Sequence, residues 1–307
     1  MLLGSPSQKP CAGECLGSIE NPVEGLPYIR LSAGKIVIAT MGKADNAVVL
    51  DAGGRKIVLT MADKEAVVAL SVTPFDLPGD DPETDLPHVD VTAVVTGGQV
   101  YWQQDVAKPV PLDVGQQISM LDDGLPRIST VEEMPEWEKT NDISEIDRLA
   151  SATLEPMLDE DRPMEIVLAE KVEHPRVEVR SLAARSLATL GKFDALIDSF
   201  NDDTLKSYWS EHFDRLQAAL ARGPQMATQV REAIERRKGE DAERIYRLLL
   251  GYSPAQLAAG SDKTLVDYLG HESLDVRVLA INNLRRITGR TFGYHPHLPE
   301  LRRRTAV

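Results

Sequence analysis

The sequence predicts an α+β protein in two parts, an N-terminal all-β sandwich or open barrel followed by a C-terminal all-α region of repeated helix pairs. Three observations predict it. Between Tyr28 and Leu121, short runs rich in Val, Ile and Thr alternate with glycine turns, the pattern of several strands in a sandwich or barrel. From Ile143 onward apolar residues recur three and four apart, the spacing of a helix with one buried face. Within that helical region one segment recurs in similar form, with several of its residues matching at a constant offset.

The expected strands are 35–39, 47–50, 56–60, 66–72, 89–96, 100–103 and 117–120. Turns fall between them at Ala33-Gly34, at Asp51-Ala52-Gly53-Gly54, at Thr96-Gly97-Gly98 and at Asp113-Val114-Gly115, where glycine reaches backbone angles closed to other residues. The stretch from Phe75 to Pro87 breaks the pattern with four prolines or glycines, five acidic residues and no basic one. It reads as a solvated acidic loop between strands. Carboxylate oxygens suit calcium, but Asp80, Asp81, Glu83 and Asp85 lack the spacing and central glycine of a calcium loop.

The expected helices are 143–158, 164–173, 177–190, 193–201, 205–221, 225–237, 242–250, 254–257, 263–269 and 274–287, separated by breakers such as Pro163, Pro175, Gly191 and Gly239. These features divide the chain into a flexible lead segment (1–27), a β domain (28–121), a linker (122–142), a helical domain (143–290) and a basic C-terminal arm (291–307).

The duplicated segment aligns His174 with His271, Val179-Arg180 with Val276-Arg277, Leu182-Ala183 with Leu279-Ala280 and Leu187 with Leu284, with an acid at Glu178 and at Asp275. A turn residue ends one helix, the next helix starts near the acid, and Val, Leu and Ala form the face buried against neighbours. Alanine in that face lets two helices approach closely. The two histidines are expected to shape the turn, because two imidazoles in separate repeats lack the further ligands of a metal site.

A length of 307 residues suits two domains. The formal charge is −14, and the acidity is concentrated early: Met1 to Thr140 carries 21 acidic and 10 basic residues, the remainder 27 and 24. Such a surface repels phosphate backbones, so nucleic acid is excluded as the expected partner. No apolar run is long enough to span a bilayer, and Met1 to Gly4 is too short for a signal-peptide core. The expectation is a soluble chain, either cytoplasmic or the soluble portion of a protein whose export or membrane segment lies elsewhere.

Cys11 and Cys15 are the only cysteines, in a Gly/Pro/Ser-rich segment without nearby histidine. They are expected to form a local disulfide in an oxidising compartment or to remain free thiols. The chain carries no nucleophile elbow, zinc-protease helix, phosphate loop or dinucleotide fingerprint, so no enzyme activity and no cofactor are expected. His295 and His297 form an H-x-H pair with Tyr294 beside them, flanked by prolines, and two ligands fall short of a metal site. Tyr101-Trp102 should place one ring in the core and one at the surface, and Trp137 and Trp209 read as packing anchors. From Val276 to Val307 there are seven arginines and one acid, a solvated terminal face that could also meet the acidic β domain, a partner or anionic lipid.

Two resemblances go further. The Asp/Glu-Val-Arg elements at Glu178 to Arg180 and Asp275 to Arg277 resemble the second-helix start of HEAT repeats, and the resemblance implies that Arg180 and Arg277 join a ladder along the stack. The order of Ile29 to Ile38, Val48 to Ile57, Val94 to Trp102 and Val110 to Ile118 resembles the FecR-like domain of bacterial extracytoplasmic regulators over roughly residues 28–121. The closing run Asn282 to Pro296 resembles the segment that follows HEAT-like helices in bacterial exported or membrane-linked proteins. Together they imply a protein-binding signalling or scaffold module outside the cytoplasmic membrane, with any sigma-factor contact and any membrane link carried by a separate segment. The alternative expectation is a carbohydrate-binding or hydrolytic β domain, using the carboxylates of the acidic loop, with a helical accessory domain.

Overall fold

A computed structural model describes residues 16–23, 25–104, 107–122, 124–133, 144–158 and 161–304. The chain forms two compact units, one made of Met1–Pro74 with His88–Ile143 and the other of Phe75–Pro87 with Ser144–Val307. The architecture is α+β, with strands first and helices second.

In the first unit, β1 (Leu16–Val23), β2 (Leu26–Ala39), β3 (Asn46–Ala52), β4 (Arg55–Met61), β5 (Val67–Phe75), β6 (His88–Gly97), β7 (Gln99–Gln104), β8 (Val110–Asp113), β9 (Gln116–Leu121) and β10 (Arg127–Thr130) join in one sheet. Its order is β10-β9-β6-β5-β2-β3-β4-β7-β8, with β1 paired to β2. Leu31, Leu50, Leu59, Leu70, Val91 and Trp102, drawn from six of these strands, share one core, so the sheet curls to bury a single inner face. Period-two burial along β6, where Val89, Val91, Ala93 and Val95 are buried, fixes which side faces inward.

Strand β2 is the corner of this arrangement. Its first half pairs in parallel with β3, Tyr28 opposite Val49, and its second half pairs antiparallel with β5, Ile36 opposite Leu70. The two halves meet at Gly34, whose φ of 113° no side-chain-bearing residue adopts readily. Ala33-Gly34, read from the sequence as a turn, is a bend inside a continuous strand.

The lead segment and the linker also carry strands. Leu16–Val23 and Arg127–Thr130 pair with β2 and β9 respectively, outside the 28–121 span drawn for the β domain. Both lie beside glycine, proline and charge, and a strand held by backbone pairing at one edge needs no alternating apolar pattern to announce it. A larger correction concerns Phe75–Pro87, which leaves β5 and rejoins β6 yet packs with the helices.

The helical unit contains α1 (Glu145–Leu154), α2 (Met164–Lys171), α3 (Val177–Thr189), α4 (Asp194–Ser199), α5 (Trp209–Leu220), α6 (Pro224–Lys238), α7 (Ala242–Leu250), α8 (Asp262–Tyr268), α9 (Leu274–Thr288) and α10 (Glu300–Arg304). Helix ends follow their breakers. Gly191 at φ 77° ends α3 with the paired bonds Lys192 N–H to the Leu187 carbonyl and Gly191 N–H to the Ala188 carbonyl, a Schellman cap. Pro224 opens α6 at its first position after Gly223, and Arg236, Arg237 and Lys238 occupy its last turn, where the helix dipole favours cations. The duplicated segments form α3 and α9, with Val179 and Ala183, and Val276 and Ala280, fully buried.

Glycine in the β6–β7 turn is set by contact as well as by angle. A Cβ on Gly98, at φ 58°, would stand 2.2 Å from Asp63 Oδ1, whereas a Cβ on Gly115, at φ 83°, would meet nothing within 4 Å. Gly115→Ala is expected to cost about 1 kcal/mol of backbone strain alone, and Gly98→Ala about 2 kcal/mol more, because Asp63 must abandon its bonds to Gln99 N–H and Glu65 N–H. Urea denaturation of the two variants measures the difference; equal losses would contradict the contact.

Candidate functional site

The duplicated histidines perform one task at both positions. The Nδ1 of His174 accepts the Arg176 backbone N–H at 3.2 Å, and the Nδ1 of His271 accepts the Ser273 N–H at 3.1 Å. Arg176 and Ser273 are the N-cap residues of α3 and α9, so each imidazole satisfies a donor at a helix entrance. Their rings are committed to turn geometry.

Arg180 and Arg277 lie one turn further on. Arg180 Nε donates to the Val172 carbonyl at 3.0 Å, and its guanidinium reaches Thr204 Oγ1 and the Asp202 carboxylate. Arg277 donates to the carbonyls of His271, Glu272 and Pro296 at 2.7, 2.6 and 3.0 Å. Both arginines therefore serve carbonyls at the turn before their own helix, and Arg180 also ties forward to the loop after α4. Cys11, Cys15 and Trp137 lie outside the described residues.

The acidic loop is braced by its own carboxylates. Asp80 accepts from Leu77 N–H, Asp81 from Glu83 N–H and Asp85 from Asp81 N–H. Glu83 reaches the helices instead, with Arg231 at 2.7 Å and Thr228 Oγ1 at 3.1 Å, while Gly79 N–H donates to the Leu250 carbonyl at 3.0 Å. The loop is thus a docked part of the helical unit, which corrects the reading of a solvated loop on the β domain. No group of three metal-ligating side chains with suitable placement occurs among the described residues.

Beside that contact the Arg231 guanidinium lies 5.1 Å over the Tyr246 ring. The Tyr246 hydroxyl is buried and has no hydrogen-bond partner among the described residues. Burial raises its pKa above the ordinary phenol value, and the charges of Glu83 and Asp81 push in the same direction.

A buried polar chain escaped the sequence reading. His212 is fully buried, its Nε2 lying 2.8 Å from Ser181 Oγ and its Nδ1 2.7 Å from Ser199 Oγ. The Ser199 hydroxyl donates its proton to the Leu196 carbonyl at 2.6 Å, so it accepts from Nδ1–H, leaving Nε2 to accept from Ser181. Burial, with the nearby charges of Arg185 and Arg215, pushes the His212 pKa down to about 3. The ring is a neutral strut joining α3, α4 and α5. Residues 31 and 13 positions away in sequence supply its partners, a separation no local motif reveals.

Next to it, Arg185 is buried and pairs with Asp147 of α1 and Glu211 of α5. At the other repeat, buried Asp275 pairs with Lys238 at 2.8 Å. Burial opposes ionisation of Asp275, but hydrogen bonds from Lys238 and Ser273 outweigh it and hold the carboxyl below its usual range.

In the β unit, His88 Nδ1 lies 2.5 Å from Asp122, which also accepts the Val89 N–H at 2.8 Å and lies 3.7 Å from Arg55. This cluster clamps the β6–β9 margin. Trp102 is buried and Tyr101 only partly so, as strand alternation requires. His295 and His297 have ring centroids 5.9 Å apart, with Trp209 6.2 Å from His297.

Large apolar side chains are exposed at several places in the helical unit, among them Leu86, Leu301 and the two sets that follow. Ile146, Leu149, Met164, Ile166 and Leu190 are each about half exposed at its first end. The turn after α9 exposes Ile287 and Phe292 among arginines. The first set is the candidate functional site. No family model and no curated protein matches the chain.

The strut makes stability depend on pH in a defined direction. Below the unfolded-state value near 6.5 the unfolded chain takes up a proton on His212 that the folded chain refuses until about pH 3. That stability is complete above pH 6.5 and is lost as pH falls, by about 2 kcal/mol at pH 5. His212→Gln should flatten the pH 7 to 5 stability profile by that amount; an unchanged slope would refute the neutral strut. Tyr246→Phe removes an unpartnered hydroxyl and is expected to leave thermal stability unchanged or raise it by about 1 kcal/mol, read by calorimetry.

Proposed function

We propose that this chain is a non-enzymatic protein-binding module of an extracytoplasmic regulatory or scaffold protein, of the FecR-like and HEAT-like kind that its motifs resemble. The observation that carries the proposal is the apolar group at the first end of the helical unit. Two ion pairs gather it: Arg185 of α3 holds Asp147 of α1, and Lys192 beyond α3 holds Glu165 of α2 at 3.0 Å. Ile146 and Leu149 lie one helical turn apart on α1, Met164 and Ile166 flank Glu165 in the first turn of α2, and Leu190 stands at the α3 cap.

Single exposed leucines are ordinary on protein surfaces, but five half-exposed large aliphatic side chains on three neighbouring helices leave apolar area that a partner would cover. A stacked helical array presents such a face to its next layer. An amphipathic helix of a partner protein fits that place, reading the apolar residues at helical spacing. The carboxylates that a hydrolytic reading would use are committed to the turn and to Arg231, which favours the binding role.

A photo-crosslinking residue at Leu149 in the full chain tests the proposal in envelope extract. A discrete protein adduct is expected, and Ile146→Asp with Ile166→Asp should reduce its yield at least about tenfold while leaving the melting temperature within about 2 °C. Equal adduct yield from the double variant would overturn it.

A further inference from the structure

The turn that follows α9 is the feature that the proposed function leaves unused. Residues 285–293 read Arg, Arg, Ile, Thr, Gly, Arg, Thr, Phe, Gly, and every one of them is exposed. Ile287 and Phe292 are 44% and 57% exposed, so two large apolar side chains stand in water within six residues.

The backbone here follows an unusual course. Gly289 at φ 72°, Phe292 at φ 53° and Gly293 at φ 71° all take left-handed conformations. For the glycines this is ordinary; for a phenylalanine it is an uncommon and costly choice. The segment is then pinned immediately afterward, where the Tyr294 hydroxyl donates to the Leu269 carbonyl at 2.6 Å and Tyr294 itself is buried. The fold therefore holds an aromatic ring outward at the price of strain, while the next aromatic anchors the turn.

The charges have separable origins. Arg286 stacks 4.6 Å over Phe213 and pairs with Asp214, so it is a structural arginine. Arg285 donates to the neutral Ser210 hydroxyl at 3.1 Å, and among the described residues no carboxylate pairs with it. Both lie in the last turn of α9, where the helix dipole favours cations. Arg290 lies beyond the cap, where that explanation ends, and among the described residues no carboxylate pairs with it.

We propose that this turn is a contact for an anionic membrane surface, with Phe292 and Ile287 entering the headgroup region and Arg285 and Arg290 meeting lipid phosphates. The shape decides between surfaces. A peptide is bound by a groove or an edge, whereas here the apolar side chains project from a turn, and a soft interface admits projecting rings and arginines together. The overall charge of −14 does not forbid the contact, because at physiological ionic strength charges beyond about 8 Å are screened.

Flotation of the full chain with vesicles tests this, using phosphatidylglycerol mixed with phosphatidylcholine against phosphatidylcholine alone. Preferential binding to the anionic vesicles is expected, weakening as salt is raised from about 0.15 to 0.5 M. Arg285→Glu with Arg290→Glu should reduce that binding at least about tenfold. Phe292→Gly suits the left-handed backbone and so preserves the fold, and it should reduce binding several-fold. Equal binding to both vesicle types, no binding, or retention by the arginine variant overturns the proposal. So does capture of a soluble polyglutamate peptide with the same arginine dependence but no effect of Phe292→Gly, since that result would assign the turn to an acidic protein segment.

Discussion

Turns and segments packed against a helix enclose backbone carbonyls, and a buried carbonyl without a donor costs roughly 1–3 kcal/mol. Arg180 and Arg277 meet this constraint at two places in the array. The guanidinium carries five donors in a rigid plane, so Arg277 can serve three carbonyls at once, and Arg180 can serve one and still reach Asp202. Lysine, a single point of charge on a flexible stem, could not span these acceptors. The paired histidines answer the complementary need, since an imidazole nitrogen accepts the N–H at the helix entrance. Close packing of Val179 and Ala183, and of Val276 and Ala280, becomes favourable only once those polar groups are satisfied.

The helical half was legible because its signals are local. Period, glycine and proline placed the helices from α2 to α9 within a few residues of where they lie, and the duplicated segment located two equivalent helix starts. The central strands were legible for the same reason, through alternation and turns. What the sequence hid depends on distance. Ser181, Ser199 and His212 are unremarkable in their own helices and become a unit only when three helices converge. Strands β1 and β10 are held by backbone pairing, which has no residue code of its own. Gly34 looked like a turn because a glycine that bends a strand and a glycine that ends one carry the same letter.

The segment Phe75–Pro87 shows a different limit. Its composition describes solvation well: prolines, glycines and acids do form a turn-rich stretch there, and three carboxylates cap backbone N–H groups inside it. Composition cannot say what the fourth carboxylate does. Glu83 finds Arg231, whose side chain also covers Tyr246 and approaches Glu235 and Glu243 at 3.3 Å each. A guanidinium among several carboxylates stays charged. Glu83 and the Gly79 backbone therefore anchor the stretch to the helices, while Asp80, Asp81 and Asp85 support its turns.

The two exposed surfaces of the helical unit differ in the force they can exert. At the first end Arg185 and Lys192 pair with Asp147 and Glu165, and the half-exposed Ile146, Leu149, Met164, Ile166 and Leu190 contribute apolar area whose own attraction for another surface is insensitive to salt. At the turn after α9 the arrangement is reversed: Arg290 stands past the helix cap and the apolar residues are few, so attraction there depends on ionic strength as well as on burial. Burial keeps His212 neutral, hydrogen bonds from Lys238 and Ser273 hold Asp275 ionised, and Arg185 is enclosed between Asp147 and Glu211, which ties the helices together.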